Sequence, residues 1–139
     1  ITNQYANNSG SSETITNIYN LDGNGKLLSG DGATVTYDNR GNVSKMIEED
    51  DFQIDLEYNN ENGIFKHVKT PQFALIVIFD DYYMFKVNNP TKAISTDLHS
   101  NETYTNTLTY QYNQDRYPTV FTATDAGDVY NLNIEYIKK

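Results

Sequence analysis

Apolar and polar residues alternate strictly in three stretches of the chain. Phe52, Ile54, Leu56 and Tyr58 are interleaved with Gln53, Asp55 and Glu57. Tyr104, Leu108, Tyr110 and Tyr112 share one parity, with Asn106 as its polar exception, while Thr105, Thr107, Thr109 and Gln111 share the other. Tyr130, Leu132, Ile134 and Tyr136 alternate with Asn131, Asn133 and Glu135. Successive side chains of a strand point to opposite faces, so a period of two predicts antiparallel strands with one dry and one wet face. Strands are predicted near 14–20, 25–29, 33–38, 42–48, 52–58, 63–69, 103–112, 117–124 and 129–137.

A repeated phrase joins these runs. Tyr19, Tyr37, Tyr58 and Tyr112 each lead a polar stretch rich in Asn, Asp or Gly, followed by another β-prone arm. Asn and Asp tolerate left-handed backbone angles and Gly accepts them freely, so such stretches close turns; a tyrosine beside the turn buries its ring and wets its hydroxyl. The repeat is therefore architectural, one hairpin after another.

Residues 70–90, TPQFALIVIFDDYYMFKVNNP, break the alternation. Their composition suits two strands, but Thr70 is a good N-cap, Pro71 stands at the favoured first helical position, and Asn88-Asn89-Pro90 is a stop signal. The spacing predicts a helix over about 71–87, apolar on all sides and hence enclosed; the alternative is a buried hairpin turning at Asp80-Asp81. Residues 88–102 read as a long polar connection, a place where a site could lie. The fold expected is mainly β: an antiparallel meander of about nine strands, curled into an open or partial barrel around one apolar helix. Residues 1–13 read as a flexible polar tether and 14–139 as a single domain.

Charge narrows the partners. Ten basic residues stand against nineteen acidic ones, a net charge of -9, which argues against nucleic acid and against anionic membrane surfaces. The absence of cysteine from this sequence rules out disulfides, thiolate catalysis and Cys-ligated zinc within it. No apolar run reaches the length of a membrane-spanning helix.

Candidate chemistry is sparse. Asp80-Asp81-Tyr82-Tyr83 is the best candidate ligand site, because carboxylates on an enclosed helix need partners or a wet cavity and the rings could stack on a sugar or an apolar ligand. The acidic run Glu48–Asp51 has oxygens for a calcium ion but stands where two strands turn. Asp22-Gly23-Asn24-Gly25-Lys26 starts like a calcium-binding loop and then departs, with Lys26 at the fifth position and Leu27 where a glycine is required. His67 and His99 lack a partner pattern, and no nucleophile-elbow, zinc-protease or phosphate-loop phrase occurs. No catalytic, cofactor or metal-ligating residue is assigned.

Tyr37-Asp38-Asn39-Arg40-Gly41-Asn42-Val43 resembles the YD-repeat module; the copies at Tyr19, Tyr58 and Tyr112 have Asn in place of Asp. The wider order resembles a domain of unknown function from secreted lipoproteins of Bacteroidetes-type gut bacteria. That order is Tyr-led hairpins, Thr70-Pro71-Gln72-Phe73, Asp80 to Tyr83, Asn88-Asn89-Pro90, then Tyr110 to Asn113, Tyr117-Pro118-Thr119 and Ile134-Glu135-Tyr136. The likeness covers nearly all of 14–137. It implies a porin-like, partly barrelled fold and an extracytoplasmic place in the cell envelope, with an outer-membrane lipid anchor upstream of this chain. It brings no site residues. The function expected is a non-enzymatic envelope module, structural or binding a glycan or a protein. The alternatives are a carrier of a small apolar ligand inside the curled sheet and, least supported, an enzyme.

Overall fold

A computed structural model describes residues 2–6, 12–79, 84–125 and 127–137. Its simplest unit is one turn used three times. The N–H groups of Asp22, Asp38 and Asn113 donate to the carbonyls of Lys26, Asn42 and Tyr117 at 2.8, 2.9 and 2.9 Å. The side-chain Oδ1 of each accepts two more backbone N–H groups, two and four residues on, at 2.8–3.1 Å. The fourth residue has positive φ: Gly25 at 78°, Gly41 at 92° and Arg116 at 63°. An Asx side chain thus supplies the acceptor the tight bend lacks, and the left-handed residue returns the chain antiparallel. The Tyr-led phrase encodes this device.

Repeating it gives a meander. Strands β3 (Tyr19–Leu21), β4 (Leu27–Gly30), β5 (Ala33–Tyr37), β6 (Val43–Glu48), β7 (Phe52–Tyr58), β8 (Pro90–Asp97), β9 (Thr103–Tyr112), β10 (Pro118–Asp125) and β11 (Asp128–Asn133) lie side by side in sequence order. All nine pair antiparallel in one sheet that does not close; β3 and β11 are its edges. β1 (Thr2–Ala6) and β2 (Ser12–Thr16), at the predicted tether, pair as a separate two-stranded ribbon.

Register carries the alternation across the sheet. Met46 stands opposite Ile54, Leu56 opposite Ala93, Asn106 opposite Ala93, Leu108 opposite Ala123, and Phe121 opposite Leu132. These residues share one face. The other face carries cross-strand ion pairs, Lys45–Asp55 and Lys92–Glu57, each at 3.4 Å.

The first half of the apolar face is covered by α1 (Gln72–Phe79). Pro71 opens it, its carbonyl accepting from Ala74 and Leu75 at 3.1 and 3.4 Å. Leu75, 5 % exposed, enters the core cluster of Leu27, Val35, Val43, Met46 and Leu56, with Phe73 and Ile76 beside it. Burying such a side chain stabilises by about 1.5–3 kcal/mol, so α1 is held by tertiary packing more than by its eight-residue length.

Three expectations are corrected. The helix predicted over 71–87 is helical from Gln72 to Phe79; Met84 and Phe85 form a short 3₁₀ turn instead. The reason is competition from 63–65: Gly63 and Phe65 donate to the carbonyls of Val87 and Phe85 at 3.0 and 3.1 Å. Residues 63–69, predicted as a strand, are turns, and the predicted connection 88–102 contains β8. Asn59 explains the exchange. Its N–H goes to the Asn89 carbonyl at 3.1 Å rather than across a local turn, so β7 takes its next partner from beyond α1.

Candidate functional site

Beyond α1 the apolar face continues, under a different cover. The 59–89 connection returns over the sheet as two neighbouring runs that place Ile64, Phe65, Met84 and Phe85 above β9 and β10. Phe85 meets Phe121 edge-on at 5.7 Å between ring centres, and Tyr110 lies 5.5 Å from Phe121. Lys86 donates to the carbonyls of Phe65 and Val68, fastening the two runs together. Partial burial lowers its ammonium pKa.

Between this cover and the sheet lies a trough of about 760 Å³. Its floor is Ile54, Ala93, Ser95, Asn106, Leu108, Phe121 and Ala123; Tyr130 and Leu132 of β11 form its open side; Asp125, Asn133 and Glu135 stand at the rim. This volume suits a small ligand, and apolar walls with few polar groups are the usual lining of such sites. Ser95 and Asn106 are the polar residues of the floor. The Oδ1 of Asn106 is buried and meets no hydrogen-bond donor among the described residues. A lone buried amide acceptor is costly unless something supplies a donor.

A second hollow, about 380 Å³, opens at the other end among Tyr19, Leu27, Met46, Phe52 and Ile76, with Asp31, Glu48, Glu49 and Asp51 on its walls. Its acidic groups belong to turns and to the end of β6. Glu49 and Asp50 both have positive φ, 48° and 59°, in the β6–β7 turn. Among the described residues no three or more His, Asp or Glu side chains are grouped so as to hold a metal.

The expected ligand residues Asp80, Asp81, Tyr82 and Tyr83 lie outside the described residues. Neither histidine lines the trough: His67 stacks obliquely on Tyr117 at 5.6 Å, and His99 meets Asp51 at 2.6 Å. The hydrogen bond and charge of Asp51 raise the His99 pKa. Most tyrosine hydroxyls with perturbed titration are tied to structure. Tyr37 and Tyr110 donate to the carbonyls of Leu27 and Pro90 at 2.9 and 2.7 Å. Burial holds Tyr37 up to about 12 and Tyr110 higher still.

Sequence reasoning marked Asn106 as the odd residue of its face but drew nothing from it. The trough itself needed the long-range cover by Phe65 and Phe85, which no local pattern signals. The chain matches no known family model and no curated protein.

Proposed function

We propose that this chain is a non-enzymatic binding domain of the cell envelope that holds an apolar molecule carrying a hydrogen-bond donor. The observation that carries this reading is the donorless Oδ1 of Asn106 in a trough of about 760 Å³ walled by Phe65, Met84, Phe85, Leu108 and Phe121. A hydroxyl or amine on the ligand would satisfy the amide while the rest displaced water from apolar walls. Asp125 and Glu135 at the rim, with a net charge of -9, favour a neutral or cationic molecule over a fatty acid.

This reading prefers the apolar carrier to a glycan module, since a purely polar sugar gains little from aliphatic and phenylalanine walls. The envelope location and an upstream lipid anchor rest on the resemblance to lipoprotein domains. A sheet curled part-way round α1 belongs to the same reading, supported by Leu75 in the sheet's core cluster. The non-catalytic part is supported by the carboxylates with lowered pKa, Asp22, Asp38 and Asp97, which lie at turns and a strand end and do not line the trough.

The test is a thermal-shift and tyrosine-fluorescence titration with long-chain alcohols, aromatic amines and fatty acids; the chain has no tryptophan to mask the signal. Ligand at about 100 times its dissociation constant should stabilise by about 2.7 kcal/mol. Alcohols or amines should raise the melting temperature, and fatty acids should do so less. No response to any of them ends the proposal.

A further inference from the structure

The two edges of the sheet are built differently, and the difference points to a partner. β3 is three residues long and its register breaks between Asn20 and Leu21. Short, irregular edges resist the addition of a further strand. β11 pairs with β10 in unbroken register over its six residues and contains no Pro or Lys. Its Val129, Tyr130 and Leu132 are 59, 60 and 56 % exposed.

The pairing to β10 shows which backbone groups are free. Ile134 donates to the carbonyl of Thr119, directly opposite in the register, at 2.9 Å. In an antiparallel ladder opposed residues bond or skip alternately, so even-numbered residues of β11 turn their N–H and C=O toward β10. Val129, Asn131 and Asn133 turn theirs outward. We infer that β11 pairs antiparallel with β11 of a second copy about a two-fold axis at Asn131, continuing the sheet across both molecules.

This register uses every outward group of the strand: Asn131 against Asn131, and Val129 against Asn133 twice. It keeps the two apolar faces on one side and sets Tyr130 against Leu132 on both sides of the axis, in the non-bonded positions where side chains approach most closely. Like charges do not meet, because Asp128 falls opposite Ile134. A second copy is thus a better fit than an unrelated extended segment, and a C2 interface of this kind is self-complementary.

The test is sedimentation equilibrium of the whole chain and of two variants, with amide exchange read at several concentrations. Asn131→Pro deletes the central outward N–H while leaving the β10 ladder intact, since proline is tolerated where the N–H faces away from the sheet. Val129→Lys places a charge on an exposed edge position and keeps the fold if proline does not. The expected result is a reversible wild-type dimer, with dimerisation weakened about tenfold or more in both variants at unchanged circular dichroism. Exchange at Val129, Asn131 and Asn133 should slow as concentration rises. A monomer at millimolar concentration, a Val129→Lys chain that dimerises as tightly as wild type, or amides at those three positions indifferent to concentration overturns the inference.

Discussion

Asn42 and Asn88, 46 residues apart, exchange two hydrogen bonds: Asn42 Nδ2 donates to Asn88 Oδ1, and the Asn88 backbone N–H donates to Asn42 Oδ1, both at 3.0 Å. Asn42 also donates to Asp38 Oδ2 at 3.0 Å, and Asn88 Nδ2 to the Glu61 carbonyl at 2.8 Å. The pair therefore bolts the β5–β6 turn to the connection that leads into β8. Asn42 is 1 % exposed, so water cannot replace a lost partner.

Asn42→Ala should destabilise the domain by about 2–4 kcal/mol, because it strands a buried N–H and a buried amide oxygen together. Asn42→Asp keeps an acceptor for the Asn88 N–H but sets a carboxylate against Asp38 and Asn88 Oδ1. It should be worse than alanine at neutral pH and recover on acidification. Urea denaturation at two pH values measures both; equal losses for the two variants would contradict the network.

The turns make opposite predictions for gaining and losing glycine. Gly41 has a φ of 92°, beyond the range ordinary residues adopt, so Gly41→Ala should cost about 1–3 kcal/mol. Asp50 already bears a side chain at a φ of 59°, in a turn with Glu49 at 48°. Both angles suit the hairpin turn that prefers glycine at its second central position. Asp50→Gly should therefore raise the melting temperature, with a gain of about 1 kcal/mol. A neutral Gly41→Ala or a destabilising Asp50→Gly would show that the turn geometry is not what limits stability there.

Acid should undo the turns in a way asparagine does not. Backbone N–H groups, first of Lys26 and then of Asn24, overcome desolvation and hold Asp22 below its ordinary 3.8. For Asp38, desolvation raises the pKa, but hydrogen bonds from Asn42 and Arg40 outweigh it and the net direction is down. A folded pKa below the unfolded one gives stability that is fully present above 3.8 and fades as pH falls through the folded value. Asn113 performs the same turn without a titrating group. Asp22→Asn, whose Oδ1 alone makes the turn bonds, should leave neutral stability nearly unchanged and flatten the acid limb. Asp38→Asn should flatten it too but weaken the neutral protein, because Oδ2 accepts from Asn42 and Arg40. Thermal midpoints across the acid range separate the two.

How much of this was legible depends on whether the information was local. The turn-forming Asn, Asp and Gly positions and the alternation of Phe52 to Tyr58 are local, and the hairpins led by Tyr19, Tyr37 and Tyr112 stand as read. The one led by Tyr58 does not, because Asn59 gives its N–H to the Asn89 carbonyl. β8 was missed because PTKAISTD has a proline, small polar residues and no clean alternation. Its strand character comes from β7 and β9 on either side, and β propensity is largely such context. The helix was recognised by its Pro71 start but overextended, because backbone donors at Gly63 and Phe65 claim Phe85 and Val87 from a distance. The trough belongs to the same class of feature. Its floor was in the parity of Tyr104 to Tyr112, while its cover depends on contacts between residues far apart in sequence.

Asn106 should show stability and binding moving in opposite directions. In the free protein its Oδ1 is a buried acceptor with no donor among the described residues, so the folded state bears a desolvation cost. Asn106→Leu removes that cost and extends the apolar floor between Leu108 and Ala93, its cross-strand neighbour. The variant should unfold at a higher temperature, with a gain of about 1–3 kcal/mol. If the amide exists to meet a ligand's donor, the same variant should lose affinity for apolar alcohols or amines while gaining relative preference for hydrocarbons lacking a donor. A merely structural asparagine would predict the reverse on the first count, since its replacement would break something the fold uses. Calorimetric unfolding of the free variant, set beside its binding isotherms for an alcohol and the matching alkane, distinguishes the two roles. Natural sites keep such unpaired groups at a cost in stability because function needs them unpaired until the ligand arrives.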